Sequence, residues 1–200
     1  SGDAKAALQC SSSSAAFAAS RLKDGKVTAK VEGISCSVIA LGRDWARMLA
    51  AVELILEDGT ADVGWYALDA VKTGREWKVV SFREAGPEVS GIGLCVKKAD
   101  VEAARQVFES YLDALVAGDW PVAAKYLAGP ARRSQEMGAA VLGKGAIIGK
   151  VEGLNAGPVW ARGKEAVIRF EYTVDGRNVS VLVFFYRTAQ GWKIVEIIQN

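Results

Sequence analysis

Two α+β domains in tandem, each a set of helices packed on an antiparallel sheet, are what this sequence predicts, and three observations predict it. Lys30-Val31-Glu32-Gly33 returns letter for letter as Lys150-Val151-Glu152-Gly153, and sliding residues 4–33 over residues 124–153 without a gap gives ten identities in thirty, where composition alone gives roughly two. Further on, Asp58-Gly59 answers Asp175-Gly176, and Trp77-Lys78-Val79-Val80 answers Trp192-Lys193-Ile194-Val195. In each half, helix-forming sequence comes first and short β-like runs follow. The expected boundaries are an N-terminal domain at 1–86 that lacks its first helix, a linker at 87–98 and a C-terminal domain at 99–200.

Composition bounds the function. The chain has 200 residues, 50% hydrophobic and 24% charged, with a net charge of +2. That is ordinary globular composition, and each half is large enough for its own core. No apolar run reaches the ~18 residues that span a bilayer, so no membrane insertion by this segment is expected. Lys and Arg are scattered over both halves, without the basic patch of a nucleic-acid binder. Cys10, Cys36 and Cys95 lie far apart and form no Cys-x-x-Cys pair. They read as core or surface thiols, or as one disulfide and a leftover thiol in an exported protein, and not as a zinc or thioredoxin-like site. The first residues hold neither a basic n-region nor an apolar h-region, so a signal peptide would already have been removed.

In the first copy, residues 3–23 are alanine-rich with Ala7, Leu8, Phe17 and Leu22 as apolar anchors. They are expected to form two short helices separated at Ser11 to Ser14, because serine favours caps over helix interiors. From Val27 the pattern turns to β-like runs, Val27 to Val31 and Ser35 to Ala40, parted by Gly33 and closed by Gly42. Residues 45–57 fit a helical stripe and a strand alternation equally well. Their counterpart Ala166 to Thr173 is β-branched and aromatic, and both run into Asp-Gly, a hairpin signal, so a strand is expected. Val63 to Val71 and Trp77 to Phe82 complete an antiparallel meander through Thr73-Gly74.

Gly86-Pro87, Gly91 and Gly93 mark the linker. Gly91-Ile92-Gly93 lacks the third glycine of a dinucleotide fingerprint, and the series Gly143, Gly145, Gly149 leads into strands and not a helix. Asp100 is expected to cap a long helix with the apolar stripe Val101, Ala104, Val107, Phe108, Tyr111, Leu112 and Leu115. Gly118-Asp119 ends it, a second helix covers Pro121 to Leu127, and a third runs from Arg132 to Leu142 after Gly129-Pro130. Four strands follow, near Ile147–Glu152, Ala166–Thr173, Val179–Arg187 and Trp192–Ile198, with turns at Asp175-Gly176 and Gln190-Gly191. The strand Val179–Arg187 is apolar on both faces, which implies a covered outer face.

Ala117-Gly118-Asp119-Trp120 with Ala123 to Leu127, and the closing Gly191-Trp192-Lys193-Ile194-Val195, resemble the nuclear transport factor 2-like (NTF2-like, cystatin-like α+β cone) superfamily. The resemblance covers the second copy and most of the first. It implies cone-shaped domains in which helices pack on a curved antiparallel sheet. The superfamily includes ketosteroid isomerases, dehydratases and many non-catalytic modules, so fold does not decide function. The tandem arrangement is similar to bacterial envelope proteins of unknown function and to paired modules of conjugation-channel proteins.

The sequence contains no histidine. The His-Asp chemistry of the superfamily's dehydratases, histidine-based metal sites, and Ser-His or Cys-His nucleophiles are therefore excluded. An isomerase-type site needs a carboxylate base and an oxyanion hole of a tyrosine and a protonated Asp. Tyr126, Tyr172, Tyr186, Asp113 and Asp119 supply the residue types, but no pair among them matches that motif, and Asp119 is better explained as a helix cap. No catalytic residue, metal ligand or cofactor is assigned. The ligand-pocket candidates are Trp120, Tyr126, Met137, Trp160, Phe170 and Tyr172, with core packing as the competing explanation for each. The reading is a non-catalytic, extracytoplasmic binding or assembly module of the bacterial cell envelope whose partner is a second copy or an envelope protein; the alternative is a small-molecule isomerase-type or ligand-binding enzyme using an apolar cone pocket in the C-terminal domain for a small apolar ligand. Because the first copy lacks an opening helix, its sheet is expected to have its bare groove filled by the stretch Gly91 to Val96, by the other domain or by a second protomer, unless residues upstream of Ser1 fill it.

Overall fold

The computed structural model describes residues 9–11, 29–87, 97–142 and 148–199. The chain divides into two compact units, Ser1–Thr60 with Gly64–Gly86, and Ala61–Val63 with Pro87–Asn200. The expected helices at 3–23 lie outside the described residues apart from 9–11, as does the linker from 88 to 96.

The first sheet is a four-stranded antiparallel meander in chain order: β1 (Ala29–Leu41), β2 (Trp45–Leu56), β3 (Ala61–Thr73) and β4 (Glu76–Ala85). Residues 45–56 are thus a strand, and their helical stripe is incidental. β1 corrects the expectation of two separate runs. It is continuous through Gly33, with register shifts between Val31 and Gly33 and between Val38 and Ala40. A bulge absorbs one extra residue without ending the pairing, so the broken alternation looks like a chain break.

The second unit opens with α1 (Lys98–Val116), α2 (Trp120–Ala124) and α3 (Gly129–Leu142), followed by a second antiparallel meander of β5 (Val151–Arg162), β6 (Glu165–Val174), β7 (Arg177–Thr188) and β8 (Gly191–Gln199). Asp100 is not the cap of α1. The N-cap is Lys97, which makes no side-chain cap bond, and Asp100 lies in the first turn, facing Arg187 at 3.6 Å. Gly118 ends the helix with φ 70, a left-handed conformation that glycine adopts without strain. Gly129-Pro130, expected as a stop, instead begins α3, since proline in a first turn gives up an N–H that has no helical partner. β5 was expected to end at Glu152. It runs on to Arg162 through Gly153, Gly157 and Pro158, because it is an edge strand and an edge tolerates proline.

The core of the second unit follows from the spacing along α1. Ala104, Phe108, Leu112 and Leu115 are buried on one face. Phe108 meets Phe170 of β6 at 4.3 Å between ring centroids. Around them Leu127, Ile168, Val183, Phe185 and Ile194 are all buried. On β7, Tyr186 is as buried as its neighbour Phe185, so both faces of that strand are shielded.

The two sheets share their register. Ser35 pairs with Ala51, Cys36 with Ala50 and Val38 with Met48; 120 positions on, Asn155 pairs with Glu171, Ala156 with Phe170 and Pro158 with Ile168. Both edge strands shift register twice, the second time between Val38 and Ala40 and between Pro158 and Trp160. At an offset of 115, Lys72 opposite Trp77 becomes Arg187 opposite Trp192, and the shift after Asp69 becomes the shift after Phe184. Trp77 and Trp192 therefore hold one position. Ahead of the sheets the offset is 116. The Val79 N–H donates to the Cys10 carbonyl (3.0 Å) as the Ile194 N–H donates to that of Tyr126 (2.9 Å). The Lys78 ammonium donates to the Gln9 carbonyl (2.7 Å) as that of Lys193 donates to Lys125 (2.6 Å). Gln9, not Lys5, is thus the counterpart of Lys125, and the gap-free alignment of residues 4–33 is corrected at its N-terminal end. The Asp-Gly turns also differ. Asp175 (φ 49) and Gly176 (φ 76) form a two-residue primed turn. Asp58 and Gly59 belong to a longer loop in which the Leu56 N–H donates to the Thr60 carbonyl.

Candidate functional site

The six pocket candidates do not converge. Phe170 is buried in the core against Phe108, and Tyr172 stands edge-on to the same ring at 6.0 Å. Trp120 opens α2 and packs on the small cluster of Ala114, Leu115 and Ala123. Tyr126 follows α2, half-buried, its carbonyl taken by Ile194. Met137 is exposed on α3. Trp160 of β5 is half-buried, with an indole N–H that is shielded and has no partner. Asp113 and Asp119 are exposed and Tyr186 is buried, so neither carboxyl has the apolar surroundings that keep an isomerase-type Asp protonated.

What the second unit does offer is a cleft of about 370 Å³ lined by Tyr111 of α1, Pro130, Ala131, Ser134 and Gln135 of α3, and Glu196 and Ile197 of β8. That volume falls in the range of small-molecule sites. Tyr111 comes to the cleft from the helical stripe, and α3 reaches it because Pro130 starts the helix early. Burial raises the Glu196 carboxyl above its ordinary value. Burial first, and Tyr172 nearby second, push the Tyr111 hydroxyl up to about 12. Both groups hold their protons more firmly than in water, as desolvation disfavours their charged forms. The Gln135 amide is oriented by donating to the Trp120 carbonyl at 3.3 Å, which leaves its Oε1 buried without a partner. The cleft can exchange hydrogen bonds with a small molecule and offers a carboxyl group at one wall. A second cleft, of about 540 Å³, is lined mostly by polar residues of β5, β6 and β7, among them Asn155, Glu171, Thr173 and Asn178.

Tyr111 and Glu196 were missed as site residues. Tyr111 reads as one more member of an apolar stripe, and Glu196, between Val195 and Ile197, carries no local pattern. Among the described residues no group of three His, Cys, Asp or Glu side chains could hold a metal ion. Among them, too, no helix is long and apolar enough to cross a membrane.

No family model matches the sequence, and no curated protein matches it. Among solved structures, the chain is similar to an Ntf2-like protein involved in plasmid conjugation, at 8% identity and a TM-score of 0.34 over 98% of this chain and 86% of that one. It is also similar to a cystatin-like protein from Ruminococcus gnavus ATCC 29149, at 10% identity and a TM-score of 0.32 over 86% of this chain and 69% of that one. Neither likeness bears on what this chain binds.

Proposed function

We propose that the chain is a non-catalytic binding or assembly module built from two copies of one NTF2-like domain, working outside the cytoplasm of a bacterium. The observation that carries the reading is the interior of the second unit. Phe108, Phe170 and Phe185 fill the space between α1 and the sheet, where a catalytic cone would hold a substrate. The absence of histidine and the exposure of Asp113 and Asp119 support it. The shared register of the two sheets supports descent of both from one domain, and the extracytoplasmic setting rests on the tandem resemblance alone.

A second reading, a small-molecule binder or isomerase-type enzyme, has the Tyr111–Glu196 cleft in its favour. Thermal melting against a panel of small apolar and amphipathic compounds separates the two. A ligand present at a hundred times its Kd adds about 2.7 kcal/mol of stability, a shift that melting resolves. Under the assembly reading no compound moves the transition. One that stabilises the wild type but not Glu196→Gln would replace the assembly reading with the second.

A further inference from the structure

Among the described residues the strand β1 has a neighbour on one side only, and it exposes large apolar side chains: Val31 is 53% exposed, Ile34 68%, Val38 60% and Leu41 69%. A long apolar edge is a template for another strand, and proteins usually blunt it. The equivalent edge β5, with the same register and double bulge, carries that device. Pro158 stands where β1 has Val38. Because Pro158 has no N–H and still keeps its place opposite Ile168, the ladder to the neighbouring strand does not need an N–H at that position. The Val38 N–H is accordingly directed at the open edge, as are those of Cys36 and Ile34, two and four residues before it.

The stretch is also symmetric in part about Cys36, which is exposed with a free thiol, the match failing at Gly33 and Ile39. Ile34 and Val38 flank it at two residues, Ser35 and Ser37 at one, and Val31 and Leu41 at five. A two-fold contact requires such self-complementarity, since each residue meets its mirror position in the other copy. We propose that β1 pairs antiparallel with β1 of a second copy, on a two-fold axis at Cys36. Ile34 then lies opposite Val38, Val31 opposite Leu41 and Ser35 opposite Ser37. The charges permit it. No charged residue lies between Gly33 and Gly42, Lys30 and Glu32 neutralise one another at 2.6 Å, and they fall opposite Gly42 and Ala40. The two bulges leave Gly33 to Val38 as a regular run at the centre. The inference rests on the assembly reading and names the partner as a second copy.

The test is cysteine pairing in a Cys10→Ser, Cys95→Ser background. Residues directly opposite in an antiparallel ladder have Cα atoms about 4.5–5.5 Å apart, within the span of a disulfide. Mild oxidation is expected to link Cys36 to Cys36. With Cys36→Ser added, Ile34→Cys is expected to link to Val38→Cys in a mixture, and neither to itself. Val38→Pro copies the residue that β5 tolerates. It is expected to weaken the dimer about tenfold or more, equivalent to about 1.4 kcal/mol, with the melting curve unchanged at dilutions where the chain is monomeric. A chain that sediments as a monomer at millimolar concentration would overturn the proposal, as would a dimer indifferent to Val38→Pro. Either result leaves the assembly reading to stand or fall by its own ligand panel.

Discussion

Asp119 and Asp100 place the same carboxylate near a helix start and do different work. Asp119 stands outside α2 and its Oδ1 accepts the Val122 N–H at 3.0 Å, satisfying a donor that the helix leaves unpaired. Asp100 sits inside the first turn of α1, where it meets only the helix dipole and a long contact to Arg187. Asp119→Ala is therefore expected to cost about 0.5–2 kcal/mol, and Asp100→Ala about 0.3–1 kcal/mol, diminishing with salt. Urea midpoints at low and high ionic strength check both. An Asp100 effect that equals that of Asp119 and ignores salt would mean that α1 begins later than Lys98. The sequence shows a capping residue type at each place, but not which backbone N–H lies within reach. Asp119 was legible because Gly118 announces a helix end just before it. Asp100 was misread because Lys97 and Lys98 do not look like the start of a helix. Glu196 was illegible for another reason: its burial comes from α1 and α3, remote in sequence.

The matching tetrapeptides at the heads of β1 and β5 are the most legible feature at the scale of elements, and they still differ in conformation. In β5 the register slips between Glu152 and Asn155, and Gly153 takes φ 67. In β1 it slips between Val31 and Gly33, and Gly33 is not among the glycines with positive φ. A Cβ on Gly33 would come 3.4 Å from the Glu53 carboxylate, while one on Gly153 would meet open space. Space alone would rank Gly153→Ala as the milder change. Backbone conformation reverses that order, since an L residue held left-handed costs roughly 1–2 kcal/mol. Gly153→Ala is expected to destabilise by that amount, and Gly33→Ala by clearly less. Denaturant unfolding of the two variants decides it, and equal effects would place both glycines in one conformation. Identity of letters revealed the repeat because it needs no geometry. The bulges were hidden because an extra residue breaks the alternation by which a strand is recognised.

Across the whole molecule the offset between copies runs from 116 before the sheets to 120 through the first two strands and 115 through the last two. Length changes thus fall between elements, and apart from the first slip of each edge strand the ladders match. A single offset cannot represent this, which is why the gap-free alignment misplaces Gln9 and Cys10 while it matches the first two strands. The copies diverge instead in how their sheets are filled. Phe170 and Ala50 hold one register position, opposite Ala156 and Cys36. In the second unit that position carries an aromatic ring tilted against Phe108 of α1 at 4.3 Å. In the first it carries a methyl group, and among the described residues no helix precedes that sheet as α1 precedes the second. The second core therefore depends on Phe170. Truncating a buried phenylalanine costs about 3–5 kcal/mol, because the lost contacts are only partly recovered by collapse. Phe170→Ala is expected to fall in that range. The space vacated is lined by Phe108, Ile168 and Phe185, all apolar and buried, and cavities of that kind stay dry and take up small apolar molecules. Benzene should accordingly restore part of the lost stability in Phe170→Ala and none in the wild type, as read from melting curves. A cost below about 1 kcal/mol, outside the range for buried aromatics, with no response to benzene would show that the interior is not filled by Phe170 and would reopen it as a binding site.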